Sequence, residues 1–232
     1  MKMDIRIVIV EPKYEGNIGS VARVMKNFGF KELVLVKPPP LGEVCRAMAS
    51  HAVDVLDNCK TVDSFEEAVE NSNLIVGTTG ITGKTDDEHI RMPFFTPKEL
   101  GEKLHGKRGS ISLVFGREDM GLSNEEIKKC DMIVSIPTCI EYPVMNLSHA
   151  VAIILYELSE APPGKIELAK HDDLERMYEH CQSVLDKIDY PRHKRNKTLL
   201  MLRRIFGRVM LTGREVQTFR GILRKIELHV KR

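Results

Sequence analysis

No Cys-x-x-Cys pair, no Walker-type phosphate loop, no Gly-x-Gly-x-x-Gly after the first strand, no Gly-x-Ser-x-Gly elbow and no apolar run of bilayer length occur in this 232-residue chain. Each absence removes a class. The five cysteines, Cys45, Cys59, Cys130, Cys139 and Cys181, are odd in number and spaced for neither a disulfide framework nor a zinc knuckle, so a reducing cytoplasm is the expected compartment. ATP hydrolysis and nicotinamide binding lose their usual markers, which disfavours a Rossmann-like oxidoreductase. The eight histidines are scattered and no His/Cys/Asp set has ligand spacing, so no metal is expected. Residues 1 to 10 enter an alternating strand pattern instead of a signal-peptide core, and no membrane partner is expected.

What is present is a chain that is 42% apolar, enough for one α/β core with an appendage. Ile5 to Val10, Leu33 to Val36, Leu74 to Val76, Ser110 to Phe115 and Ile133 to Ile136 read as strands. Between the first two, Ile18, Val21, Ala22 and Met25 fall at helical spacing. Cys45 to Leu56 reads as a helix burying Ala47, Met48, Val53 and Leu56. Ser64 with Glu67, Thr96 with Pro97 and Glu99, and Ser123 with Glu126 mark further helix starts. Leu147, Val151, Ile154, Leu155 and Leu158 give a long helix an apolar face, with Asn146 as its N-cap. Strands alternating with helices predict a parallel sheet covered on both faces.

Ala161-Pro-Pro-Gly164 predicts the end of a main domain over residues 1–160, and three apolar stripes after it predict a helical extension over 165–232. Those stripes run from Leu174 to Ile188, from Leu199 to Val209 and from Phe219 to Ile226. Thr212 and Glu215 cap the last of them. Charge is divided along the same line. The net charge is only +2, but Lys165 to Arg232 holds 17 Lys/Arg against 9 Asp/Glu, and from Arg192 onward the count is 13 against 2. Local basic density on an acidic body predicts a polyanionic partner.

Three glycine-and-polar interruptions follow strand-like runs: Glu11 to Gly29, Leu113 to Gly121, and Ile136 to His149. Loops after strands are where α/β proteins place ligands, so the three are expected to converge. In the first, Ser20, Arg23 and Asn27 share a helix face opposite the buried positions, and Asn17 stands at the helix start. Free N–H groups there and the Arg23 guanidinium suit a phosphate. In the second, Glu118 or Asp119 is available to pair with Arg117 or to cap a neighbouring turn. In the third, Ile136, Met145 and Leu147 flank backbone that can read an adenine ring. His149 reads as a packing or hydrogen-bonding residue.

Taken together, Glu11-Pro…Gly16-Asn-Ile-Gly-Ser-Val-Ala-Arg23…Asn27-Phe-Gly29, Leu113-Val-Phe-Gly-Arg-Glu-Asp-Met-Gly-Leu122 and Ile136-Pro…Glu141-Tyr…Asn146-Leu resemble the three motifs of the SPOUT methyltransferases, TrmH branch. The tail segment Leu202 to Leu223 further resembles the TrmJ-like tRNA (cytidine/uridine-32) 2′-O-methyltransferases. The resemblance implies an α/β parallel sheet with a C-terminal trefoil knot, S-adenosylmethionine (AdoMet) as cofactor, a homodimer, and methylation of a tRNA ribose at nucleotide 32 of the anticodon loop. Other RNA targets, ribosomal RNA or another tRNA position, and a non-catalytic RNA-binding protein of the same fold remain the alternatives.

By that resemblance Arg23 is the catalytic arginine, with Asn17 supporting substrate geometry. Thr78, Thr79, Gly80, Gly116, Arg117, Ile136, Met145, Asn146 and Leu147 are the expected cofactor residues. Ser20 and Asn27 on the first helix, with Arg192, Lys194, Arg195, Arg203, Arg204 and Arg208 on the tail, are the expected RNA contacts. Two departures bear on base preference: Pro143-Val144 stands where related sequences carry serines, and Gly77 to Lys84 lacks their arginines.

Overall fold

The computed structural model describes residues 4–81, 88–139, 141–159 and 164–230. The run Thr82 to Lys84 and the expected stop at Ala161 to Pro163 lie outside them. In chain order the elements are β1 (Asp4–Val10), α1 (Glu15–Asn27), β2 (Glu32–Val36), α2 (Glu43–Ala49), α3 (Val53–Asp57), β3 (Lys60–Val62), α4 (Phe65–Val69) and β4 (Leu74–Thr78). Then come α5 (Glu88–Arg91), β5 (Phe94–Phe95), α6 (Pro97–Leu104), β6 (Lys107–Arg108), β7 (Ser110–Phe115), α7 (Asn124–Lys129) and β8 (Met132–Val134). The chain continues through α8 (Leu147–Ser159), β9 (Ile166–Glu167), α9 (His171–Lys187), α10 (Arg192–Val209) and α11 (Gly213–Val230).

Seven strands form one sheet in the order β3-β2-β1-β7-β4-β8-β5, every pairing parallel, and β6 pairs with β9 separately. The pleat of β1 explains why both faces are covered. Ile5, Ile7 and Ile9 enter one core with Ile18, Val21 and Met25 of α1 and Val151, Ile154 and Leu155 of α8. Val8 and Val10 enter the other with Phe65, Ala68, Val69 and Ile127. Burying each such side chain stabilises the fold by roughly 1.5–3 kcal/mol, so β1 is apolar from Ile7 to Val10, while Arg6 near its less buried start reaches the carbonyls of Ala68 and Glu70.

The capping residues act as their spacing predicts. Thr96 with Glu99 and Ser123 with Glu126 each form a reciprocal capping box, and Ser64 Oγ accepts from Glu67 N. Asn146 Oδ1 accepts from the Ser148 backbone at 2.9 Å at the entrance of α8. Thr212 Oγ1 accepts from Glu215 N at the start of α11.

The helix expected over Cys45 to Leu56 is corrected. Ser50 adopts φ 53° and ψ −119°, a non-helical conformation that breaks the segment into α2, a 3₁₀ turn and α3. The break shifts the buried phase. Cys45, Ala49, Val55 and Leu56 go inside, Ala47 and Met48 are exposed, and Val53 is half-buried.

The tail packs around its own apolar contacts. Leu174, Met177, Tyr178 and Val216 meet Phe206, Leu211 and Phe219, with the Phe206 and Phe219 rings edge-on at 4.9 Å. Cys181, Val184 and Leu223 close on Leu199 and Leu202. From the expected stripes Ile188, Ile205, Val209, Ile222 and Ile226 are exposed instead.

Candidate active site

From β1 the chain builds outward through β2 and β3, then returns to place β4, β7 and β8 on the other side. The strand order therefore reverses beside β1, and the carboxyl ends there are where open α/β sheets leave a crevice. The loops after β1, β4, β7 and β8 all open onto that edge.

A cavity of about 420 Å³ lies among them, floored by Phe115, Val134, Leu147 and Ile154. Thr78, Thr79, Gly80, Gly116, Arg117, Ile136, Met145 and Leu147 all line it. Thr78 Oγ1 donates to Val114 O at 3.0 Å, and Thr79 Oγ1 donates to Ile81 O at 3.0 Å, so both hydroxyls hold the wall in place. Gly116 is required by contact: a Cβ there would stand 2.1 Å from the Gly121 carbonyl carbon. Arg117 and Gly121 exchange backbone hydrogen bonds of 3.2 and 2.8 Å, and Gly121 closes the turn at φ 66°.

Arg117 borders the cavity, but its guanidinium is occupied elsewhere. It donates to Glu126 at 3.1 and 3.2 Å and to Glu11 Oε2 at 2.9 Å. Those carboxylates raise the Arg117 pKa, and the same hydrogen bond holds the Glu11 carboxyl below its ordinary value. The expected pairing of Arg117 with Glu118 or Asp119 is thereby corrected. Asp119 pairs with Lys13, and Glu118 serves the first loop.

Glu118 accepts from Lys13 N at 2.9 Å and from Asn17 Nδ2 at 2.8 Å. Asn17 Oδ1 in turn accepts from Asn146 Nδ2 at 3.2 Å. All three interruptions thus meet in one line, Glu118–Asn17–Asn146. These three side chains edge a second, open cleft of about 710 Å³, with Tyr14, Val44, Met48 and Tyr142 on its other sides. Cavity and cleft share Glu118, Pro143, Val144, Met145 and Leu147. Asn146 lines the cleft and not the cavity.

Farther along α1, Ser20 Oγ returns to Gly16 O at 2.9 Å. Arg23 and Asn27 are exposed, and Arg23 has no ion-pair or hydrogen-bond partner among the described residues. Arg23 lines neither hollow. His149 is exposed on α8.

The tail arginines divide. Arg192 and Lys194 are exposed and Arg208 is half-buried, whereas Arg195 pairs with Asp186 and donates to Tyr190 O. Arg203 and Arg204 are corrected as RNA contacts. Arg203 donates to Glu175 at 2.8 and 2.9 Å and to Asp131 Oδ1 at 3.3 Å, beneath the Tyr178 ring. Arg204, 3% exposed, donates to the carbonyls of Cys130, Ile127 and Ile90. Guanidinium groups buried and bonded within the protein in this way do not face a phosphate in solvent.

Sequence reasoning missed Glu118 as the partner of Asn17, because 101 residues separate them and spacing carries no sign of the pair. Phe115 and Arg91 at the cavity were missed too. Among the described residues no His/Cys/Asp/Glu group is arranged to hold a metal ion, and no helix is long and apolar enough to cross a membrane.

A parallel α/β sheet with a nucleoside-sized cavity at its switch point, walled by glycine loops, defines a nucleotide-type cofactor domain, here joined to a basic helical tail. Residues 4–156 match the SpoU rRNA methylase family, and residues 172–232 match the C-terminal domain of the tRNA methyltransferase TrmJ. The chain is 40% identical over 222 residues to the tRNA (cytidine-2′-O-)-methyltransferase TrmJ of Methanocaldococcus jannaschii, covering 92% of this chain and 96% of that one. It is 36% identical over 240 residues to the tRNA (cytidine/uridine-2′-O-)-methyltransferase TrmJ of Pectobacterium atrosepticum, covering 97% of each. The crystal structure of TrmJ from Z. mobilis superposes with a TM-score of 0.76 at 28% identity, covering 96% and 98% of the two chains. The chain belongs to the SpoU methylase family of the SPOUT superfamily, as a TrmJ-like member.

Proposed function

We propose that this protein transfers the methyl group of AdoMet to the 2′-hydroxyl of a tRNA ribose, at nucleotide 32 of the anticodon loop. The observation that carries the reading is the shared wall at Met145 and Leu147, with a cofactor-sized cavity on one side and the cleft edged by Asn17, Glu118 and Asn146 on the other. Its relatives bear the name of this reaction on tRNA, and the matched C-terminal domain adds the tRNA part.

The cavity fits the cofactor by its chemistry: an apolar floor for an adenine ring, backbone of the β4 and β8 loops for ring and ribose, and Gly116 for close approach. AdoMet supplies an electrophilic methyl group. The protein must then hold a ribose oxygen in line with it, and such positioning is worth up to about 7–11 kcal/mol of barrier when it is accurate. Asn17, fixed on both sides by Glu118 and Asn146, is a rigid support for the target ribose. Arg23, exposed and unpaired among the described residues, is available to grip the adjoining phosphate through two parallel N–H···O bonds. We assign Arg23 and Asn17 to catalysis on these grounds.

Residues 1–160 act as the cofactor domain and 165–232 as the tRNA-binding extension, with Arg192, Lys194 and Arg208 as its phosphate contacts. The interleaved order β7-β4-β8-β5 is compatible with a trefoil knot in the chain after β7, which family membership supports. Tyr14, Val44, Met48, Tyr142 and Val144 are exposed around the cleft, and that apolar rim supports a homodimer with the sites beside its interface.

The test is to incubate the protein with labelled AdoMet and unmodified tRNA transcripts carrying each base at position 32, then map the product by nuclease digestion and mass spectrometry. A 2′-O-methyl at nucleotide 32 is the expected result. Transfer elsewhere in tRNA, or to ribosomal RNA alone, would overturn the assigned target, and bound AdoMet without transfer would overturn the reaction.

A further inference from the structure

Arg204 is a cation from the tail buried inside the cofactor domain. Its guanidinium reaches the carbonyls of Ile127 and Cys130 at the end of α7 and, at 2.9 Å, the carbonyl of Ile90 in α5. Arg91, the next residue, lines the cofactor cavity, and so do Gly80 and Ile81, which begin the connection from β4 to α5. One side chain of α10 therefore bonds the backbone of Ile90, directly before the cavity-lining Arg91.

Its neighbour holds the inner wall. Arg203 Nη1 bonds Asp131 Oδ1 at 3.3 Å, and Asp131 Oδ2 accepts from Ile75 N at 2.9 Å. Ile75 begins the run to Thr78 and Thr79, and Asp131 begins the run to Val134 and Ile136, all four of them at the cavity. The helix is also pressed onto this spot, for a Cβ on Gly207 would stand 2.4 Å from Asp131 O. Such a junction is far more rigid than an exposed ion pair, because an unpartnered buried carbonyl or charge is costly.

We propose that Arg204 is a positioning residue that couples the two ligands: docking of tRNA on the exposed start of α10 stabilises the α5 segment and tightens AdoMet binding. This rests on the reading of the cavity as the AdoMet site. Arg192 and Lys194, which face tRNA in that reading, lie on the same helix as Arg204, about three turns before it. Coupling is reciprocal, so AdoMet tightens tRNA binding by the same factor.

The experiment is calorimetric titration of the full chain with AdoMet, with and without a tRNA transcript, for the wild type, Arg204→Ala, Arg204→Lys and Leu223→Ala. The last opens a cavity in the tail without touching the α5 segment. In Arg204→Ala the AdoMet dissociation constant rises at least about fivefold and the tRNA-dependent tightening disappears. Arg204→Lys, which keeps one charged donor group, lies between Arg204→Ala and the wild type, and it carries the reading if Arg204→Ala does not fold. Leu223→Ala stays near the wild type. Equal AdoMet affinity in the folded Arg204 variants, or an equal loss in Leu223→Ala, overturns the coupling. Failure of the wild type to bind AdoMet would overturn the cofactor reading instead.

Discussion

Asn17 donates its side-chain amide to Glu118 at 2.8 Å across 101 residues of sequence, which fixes which end of that amide faces Asn146. With Nδ2 committed to a carboxylate, Oδ1 must be the acceptor. An asparagine anchored at both ends holds its place at the start of α1 without relying on substrate.

Replacing Glu118 with alanine frees the Asn17 amide and leaves the Lys13 N–H without its carboxylate. The turnover of Glu118→Ala is expected to fall about 100-fold, the cost of a misplaced reacting group, with a smaller change in AdoMet affinity. Glu118→Gln retains an acceptor and loses less. Single-turnover methylation beside AdoMet titration measures the two effects separately, and unchanged turnover would remove Glu118 from the assembly of the site.

Arg23 leads to a different expectation. Because it lines neither the cavity nor the cleft, Arg23→Ala leaves AdoMet affinity within about twofold, while loss of a bidentate phosphate contact lowers turnover about 100-fold or more. Arg23→Lys keeps the charge but not the planar fork and recovers only part of it. Near-normal turnover in Arg23→Ala would refute the catalytic assignment.

Exposed and locked cations in the tail differ in their salt signatures. Lys197 is exposed beside Arg192 and Lys194 at the start of α10. Replacing any of the three with alanine lowers the slope of log K against log salt for tRNA binding by about 0.7–0.9 for each phosphate contact removed. Titrations at several salt concentrations measure it, and three unchanged slopes would move the RNA track off this helix.

Acid acts on the tail through Glu227. Hydrogen bonds from Lys187 first, then Ser183 and His180, bring its pKa down to about 2 from an ordinary 4.5. A depressed carboxyl pKa contributes stability that is complete above the ordinary value and is lost as pH falls toward the folded one. The melting temperature of the wild type should therefore exceed that of Glu227→Gln at pH 6, with the gap closing between pH 4.5 and about 2. A gap that does not depend on pH would assign the effect to packing.

Much of the frame was legible along the chain. Ile18, Val21, Ala22 and Met25 are all buried and Arg23 is outside, since a helix of unbroken phase turns spacing directly into burial. The segment from Cys45 to Leu56 shows the limit. There the apolar residues were counted through a positive-φ break at Ser50, and Met48, expected inside, is 48% exposed while Cys45 and Ala49 take the inward side of α2. A period predicts a face only while the helix continues. Gly116, Ile136, Met145 and Leu147 were legible for another reason: they sit on loops after strands, and in a parallel sheet those loops share one edge, whereas Thr78, Thr79 and Gly80 came from the resemblance.

The sequence by itself determined the parallel α/β frame, the helix caps, the loops that line the cavity and the basic character of the tail, because these depend on neighbours a few residues away. Only the tertiary structure decided which charges are free. Arg192 and Arg204 are both arginines of one basic helix, but one faces water and the other is held by three carbonyls from α5 and the α7 end. Glu118 and Glu126 lie eight positions apart, yet one orients Asn17 and the other clamps Arg117. Partner choice for a charged side chain is set by what the fold brings within about 3 Å of it, and local sequence carries no record of that distance.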